Sequence, residues 1–189
     1  MKNFVRITSG KFKGQRITTP GEGTHPMGER ERLALFNMIS EYLPGATVLD
    51  AFAGSGALGI EAASRGADKV VFVESNQKAT KCIRDNLGLL TNRATASDTK
   101  RFTFKVICSR VRNTVTQQKF DLILADPPYD DFCLPEVEYL IPMLEMGGVL
   151  VLSHPGEPPV LPTLTLIKSR KYAGAAISIY QTTKSCKKD

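Results

Sequence analysis

The chain has no tryptophan, two histidines and four cysteines in 189 residues. Cys82, Cys108, Cys133 and Cys186 are scattered, without a C-x-x-C pair, which excludes a zinc ribbon or thioredoxin-like motif. They read as free thiols of a reducing compartment. His25 and His154 are too few for a histidine-based metal site, so no metal is expected. No apolar run approaches the roughly 20 residues that span a bilayer, and the start, MKNFVRITSG, lacks the apolar centre of a secretory signal. The expectation is a cytoplasmic protein with no membrane partner.

What is present is an ordinary globular composition, 42% hydrophobic and 23% charged, in a chain long enough for one sizeable core. Charge is unevenly placed. Residues 1–20 carry Lys2, Arg6, Lys11, Lys13 and Arg16 and no acid; residues 168–189 carry six bases and one acid. The body between them has 14 bases and 18 acids. Basic ends on an acidic body point to a polyanion contacted by the termini, or to solubilising tails.

Residues 4–8 and 14–18 alternate apolar and polar around SGKFKG, which predicts a small hairpin. A Pro- and Gly-rich loop (19–28) precedes helical spacing over 29–43, stopped by Pro44-Gly45. An α/β rhythm follows: strands at 46–52, 69–74, 102–108, 120–126 and 147–155, and helices at 58–66, 76–90, 111–119 and 135–145. Short apolar strands alternating with helices imply a doubly wound, mostly parallel sheet. Residues 163–172 and 175–183 alternate like an antiparallel hairpin joined near Gly174 and close it. Binding then belongs at the carboxyl ends of the parallel strands, at Asp50–Gly56, Glu74, Cys108–Arg110 and Asp126–Tyr129.

DAFAGSGALG (50–59) is a strand-to-helix turn containing Gly54, Gly56 and Gly59 in a G-x-G-x-x-G. Glycines there let backbone approach a nucleotide. The pattern alone serves nicotinamide dinucleotides and S-adenosylmethionine (SAM) alike. Asp50 weighs toward SAM: a carboxylate at the loop mouth repels a pyrophosphate and suits a cationic sulfonium. Glu74, ending the second parallel strand, can accept ribose hydroxyls. Either acid could instead cap the helix that follows it.

ADPPYD (125–130) ends the strand FDLILA. An exocyclic amine on a base is a poor nucleophile, because its lone pair is delocalised into the ring. Acceptors for its hydrogens free that pair, and Asp126 offers a carboxylate and Pro127 a carbonyl. Pro127 and Pro128 fix φ and remove two competing N–H groups. Tyr129 can stack on the base, which must be out of any helix stack.

These segments resemble the RsmD family, bacterial amino-methyltransferases with an (Asn/Asp)-Pro-Pro-Tyr motif that act on a guanine N2 amine of small-subunit (16S) ribosomal RNA. RITSGKFKGQRI is similar to the family's basic opening hairpin. THPMGERERLALFN is similar to its Thr-Arg-Pro…Arg-x-Arg-Glu-Ala-Leu-Phe-Asn segment, and the likeness continues through DNLGLL. It implies a Rossmann-like class I SAM methyltransferase fold, with a hairpin extension over 1–22 and the methyltransferase domain over 23–189. It implies SAM at Pro26, Asp50, Ala51, Phe52, Gly54, Gly56 and Glu74, and catalysis by Asp126, Pro127, Pro128 and Tyr129. It implies RNA contacts from Lys11, Lys13, Arg16, Arg30 and Tyr172. The partner would be ribosomal RNA, free or in an assembling small subunit, and the protein a monomer. The chain departs from the family at His25, Met27, Glu31 and Leu33. It has CSRVRN (108–113) where the family's third strand ends in an adenine-contacting Asp, and YAGAAIS (172–178) where the family has Tyr-Gly-Asp-Thr. Alternatives are an exocyclic amine of another RNA or DNA base, and a non-catalytic RNA-binding assembly protein on the same fold.

Overall fold

Alternating or continuous apolar runs become strands because each buries at least one face. In the computed structural model, which describes residues 4–21, 27–92, 102–114, 116–172 and 175–183, they assemble one seven-stranded sheet. Its strands are β3 (Thr47–Ala51), β4 (Lys69–Glu74), β5 (Thr103–Cys108), β6 (Phe120–Ala125), β7 (Leu144–His154), β8 (Leu164–Tyr172) and β9 (Ala175–Thr182). The spatial order is β5-β4-β3-β6-β7-β9-β8. The first five of these are parallel, and β9 inserts antiparallel between β7 and β8. The order reverses between β3 and β6, where Ala51 pairs with Ala125. Phe52 and Asp126 therefore begin neighbouring loops at the switch point where such sheets bind ligands.

One face is covered by α1 (Glu29–Met38), α2 (Ala57–Ser64) and α3 (Gln77–Asn92). α2 is buried along its whole length, which its small residues allow. Gly59 is required there, because a Cβ would meet the Phe72 ring at 2.3 Å. The other face packs Leu49, Val71 and Leu150 under Val137, Leu140 and Met143, from α4 (Leu134–Glu138) and the turn after it. No described helix is long and apolar enough to cross a membrane.

The N-terminal hairpin, β1 (Phe4–Arg6) and β2 (Arg16–Thr18), is built into the first core through Val5, Ile7, Phe12 and Ile17. Glu61 of α2, fully buried, accepts the Thr8 amide at 2.8 Å, the Thr8 hydroxyl at 2.6 Å, the Ser9 amide at 3.0 Å and Arg65 Nε at 2.8 Å. Filling its lone pairs this way offsets the cost of taking the carboxylate out of water. The hairpin tip lies on the last turn of α2, where the Lys11 amide donates to the Ser64 carbonyl.

Three helix expectations need correction. The helix over 29–43 stops at Met38 and tightens into a 3-10 turn at Ser40–Tyr42, a common helix ending. The helix over 111–119 reduces to one turn, Val111–Asn113. There the Thr114 hydroxyl bonds the Arg110 carbonyl and the Gln118 amide bonds Thr116 Oγ1, so side chains compete with helical pairing. The helix over 135–145 ends at Glu138, since Pro142 has no N–H to continue it; a 3-10 turn follows at Ile141–Met143, and β7 already begins at Leu144.

Candidate active site

β3 delivers Asp50 at its end, and alternation along the strand sends Asp50 toward α2 and Ala51 into the opposite core. The chain then turns through three positive φ values: Phe52 (+64°), Gly54 (+54°) and Gly56 (+79°). The two glycines adopt them at no cost, whereas Phe52 is strained, as residues at binding loops often are. Two carboxylates pin the loop. Glu74 Oε2 accepts the Gly54 amide at 2.8 Å, and Asp50 Oδ2 accepts the Gly59 amide, in the first turn of α2, at 2.8 Å. Glu74 Oε1 also accepts the Asn76 amide at 2.7 Å.

Asp50 is thus no open carboxylate at the loop mouth. It is 1% exposed and ties the loop to α2, although it forms part of the cleft wall. Burial pushes its carboxyl well above the usual range, with Asp126 and Glu74 adding to the push and the Gly59 amide opposing it.

β6 ends beside this loop and delivers Asp126, buried Pro127, exposed Pro128 and Tyr129, which is 39% exposed. The Pro127 carbonyl accepts no hydrogen bond among the described residues. Burial pushes the Asp126 carboxyl up to about 6; a hydrogen bond from Ser153 opposes this, and Glu31 adds to it. The Tyr129 hydroxyl lies 2.5 Å from Ser153 Oγ, at the end of β7. Burial raises the phenol's pKa as well, against that bond.

A cleft of about 750 Å³ joins these groups, within the range of small-molecule sites. Asp50, Phe52, Gly54, Glu74, the four residues Asp126–Tyr129 and Tyr172 line it. Ala51 faces away, and Gly56 starts α2 against Ile83 and Phe72, so neither lines the cleft. Pro26 lies outside the described residues. Arg110 stands at the cleft where the family resemblance places an Asp. Arg30 is exposed on α1 and is not a cleft residue. Lys11 and Lys13 lie at the hairpin tip by Ser64, about 12 Å along α2 from the glycine loop by helical rise. Sequence reasoning missed Ser153, which also lines the cleft, as does Glu31, one of the departures from the family. A polar residue closing the apolar run GGVLVL, on a strand next to β6, was the available signal for Ser153.

Fold and site together define a class I methyltransferase, with the glycine loop after its first core strand and Asp-Pro-Pro-Tyr after its fourth. Residues 5–181 match the family described as "Conserved hypothetical protein 95". The chain is 32% identical over 184 residues to "Putative rRNA methyltransferase YlbH" of Bacillus subtilis (strain 168), covering 94% of this chain and 98% of that one. It is 31% identical over 149 residues to "Ribosomal RNA small subunit methyltransferase D" of Escherichia coli (strain K12), covering 77% and 69%. A solved structure, "Putative methyltransferase yhhF from Escherichia coli", superposes with a TM-score of 0.82 at 26% identity, covering 97% of this chain and all of that one. The chain belongs to this family, the RsmD methyltransferases.

Methyltransferases of this family use SAM as methyl donor. The residues fit such a group. Asp50, Glu74 and Asp126 are carboxylates around one cleft, and the charges of the other two raise the pKa of Asp50. That environment favours a cation over a pyrophosphate.

Proposed function

We propose that this chain methylates the exocyclic N2 amine of a guanine in small-subunit ribosomal RNA, with Asp126, Pro127, Pro128 and Tyr129 as the catalytic residues. The observation that carries it is the pairing of Ala51 with Ala125, which sets the Asp126 carboxylate beside the glycine loop in one cleft. When bound, SAM supplies a methyl group on a positively charged sulfur.

The protein's share is placement and proton handling. Asp126 and the Pro127 carbonyl accept the two amine hydrogens, which loosens the nitrogen lone pair from the ring and aims it. Tyr129 stacks on the base, and its hydroxyl bond to Ser153 restricts the ring to one orientation. Forming the N–methyl bond releases one amine proton, and a carboxylate with a pKa of about 6 is a competent acceptor at neutral pH. Phe52, Gly54 and Glu74 line the cofactor side of the cleft, with Asp50 holding their loop. Lys11, Lys13, Arg16 and Arg30 contribute RNA phosphate contacts, which position without reading sequence.

The test is methyl transfer from labelled SAM to small-subunit ribosomal RNA, free and in assembling subunits, with mapping of the modified nucleotide. The expected result is N2-methylguanine, lost in Asp126→Ala while SAM binding persists. Methylation of another base's amine would move the assignment to that base. A fully active Asp126→Ala would overturn the mechanism.

A further inference from the structure

Among the described residues, β8 is the outer edge of the sheet and pairs with β9 alone. Its register is irregular: Leu166 pairs with Tyr180, but Lys168 pairs with Ile179. In a regular strand residues 166 and 168 share a face. The extra residue, Ile167, reverses this, as bulges do when they re-aim edge side chains. Tyr180 belongs to the second core, whereas Ile177 and Ile179 belong to the first. The bulge therefore turns Lys168 and Arg170, opposite Ile179 and Ile177, onto the face where Tyr172 packs and the cleft opens.

Lys168 and Arg170 are exposed, and neither forms an ion pair or hydrogen bond among the described residues. Lys171 points to the other face and pairs with Glu157. Two residues of strand advance about 7 Å, so Arg170 and Lys168 step outward in a line from Tyr172 at the cleft. The Tyr172 hydroxyl is buried and has no hydrogen-bond partner among the described residues. The hairpin packs on α2 and α3, over β3, β4 and β5, at the other flank of the sheet.

We propose that Lys168 and Arg170 on the bulged edge strand β8 form a phosphate track that holds the single-stranded RNA flanking the target nucleotide. This rests on the RNA reading above. The hairpin bases and the β8 bases then bracket the cleft from opposite flanks, with Tyr172 at the cleft end of the β8 track.

The experiment measures methylation kinetics against small-subunit ribosomal RNA across a salt series for the wild type, the double variant Lys168→Ala/Arg170→Ala, and the single variants Arg170→Ala and Lys171→Ala. The double variant should raise KM for RNA about tenfold at low salt, with kcat and SAM affinity kept. Its dependence of log KM on log salt should flatten by about 1.4, the value for two single-strand phosphate contacts. Lys171→Ala removes the same charge from the other face and should leave KM near wild type, unlike Arg170→Ala. Unchanged KM and slope in the double variant would overturn the track, as would equal effects from Arg170→Ala and Lys171→Ala. A wild-type dimer dissociated by the double substitution would assign the edge to a second copy instead. If the wild type methylates no RNA, the functional reading falls too; if only the variants match an active wild type, the track alone falls.

Discussion

The rate of methyl transfer should fall on the acid side with a midpoint near pH 6. Burial lifts the Asp126 carboxyl to about 6, Glu31 adds to the lift and Ser153 opposes it. Only the ionised carboxylate accepts the amine hydrogens without offering a competing O–H. The kcat/KM profile reports the free enzyme, so the active fraction is about 90% at pH 7 and about 10% at pH 5, a roughly tenfold loss. Ser153→Ala tests the cause. The Ser153 hydroxyl favours the ionised carboxylate, so the variant's midpoint should rise above that of the wild type, costing activity at pH 6.5 and recovering it at higher pH. A loss of packing alone would lower the plateau and leave the midpoint in place. Initial rates from pH 5 to 9 at subsaturating RNA decide the matter. A wild-type profile flat down to pH 5, or a Ser153→Ala midpoint equal to wild type, would refute this reasoning.

Two further outcomes concern stability. A carboxyl whose folded pKa is raised contributes stability that is complete below its unfolded value, near 4, and is lost as pH rises through 6. Asp126→Asn should thus be more stable than wild type by about 1–3 kcal/mol at pH 8, with the gap closing near pH 4; urea titrations at both values check this, and a constant gap would count against it. Glu61→Gln keeps the shape but leaves Arg65, and Arg32 at 3.8 Å, without their counter-charge. It should lose about 2–4 kcal/mol, read as a lower urea midpoint, and wild-type stability would show that the hairpin is held by its apolar side chains alone.

Much of the architecture was legible because its strands are short apolar runs between turn residues, and five parallel strands with a closing hairpin follow from that rhythm. The insertion of β9 between β7 and β8 was not, since periodicity reports which residues pair with a core and not which strand is the neighbour. The failed helix over 111–119 had a period but also Thr114 and Thr116, whose hydroxyls take up the local hydrogen bonds. At the site, Gly54, Glu74 and Asp126 could be found from strand ends. Ser153 could not be assigned a partner, because its contact with Tyr129 spans 24 positions and depends on β6 and β7 being adjacent.

Asp50 shows how a role can be half readable. Its sequence position allowed two readings, a cation-facing carboxylate or a helix cap. The structure makes it a cap by hydrogen bond while keeping it in the electrostatics of the cleft. Its carboxyl is raised chiefly because burial strips it of water, and Asp126 and Glu74 add to this by repelling its charge. The protein therefore carries mutually opposed acids at the one place where its overall basic character would be expected to help bind RNA. A cation entering the cleft relieves that repulsion, and a phosphate would worsen it. Arg32 and Arg110 also reach the cleft wall, but the bases of the hairpin and β8 stand outside it, where the proposed reading lays the nucleic-acid backbone. Under the proposed function, segregating the two charges would let one small domain admit a cationic cofactor and a base to the same cleft while holding the polyanion at its rim.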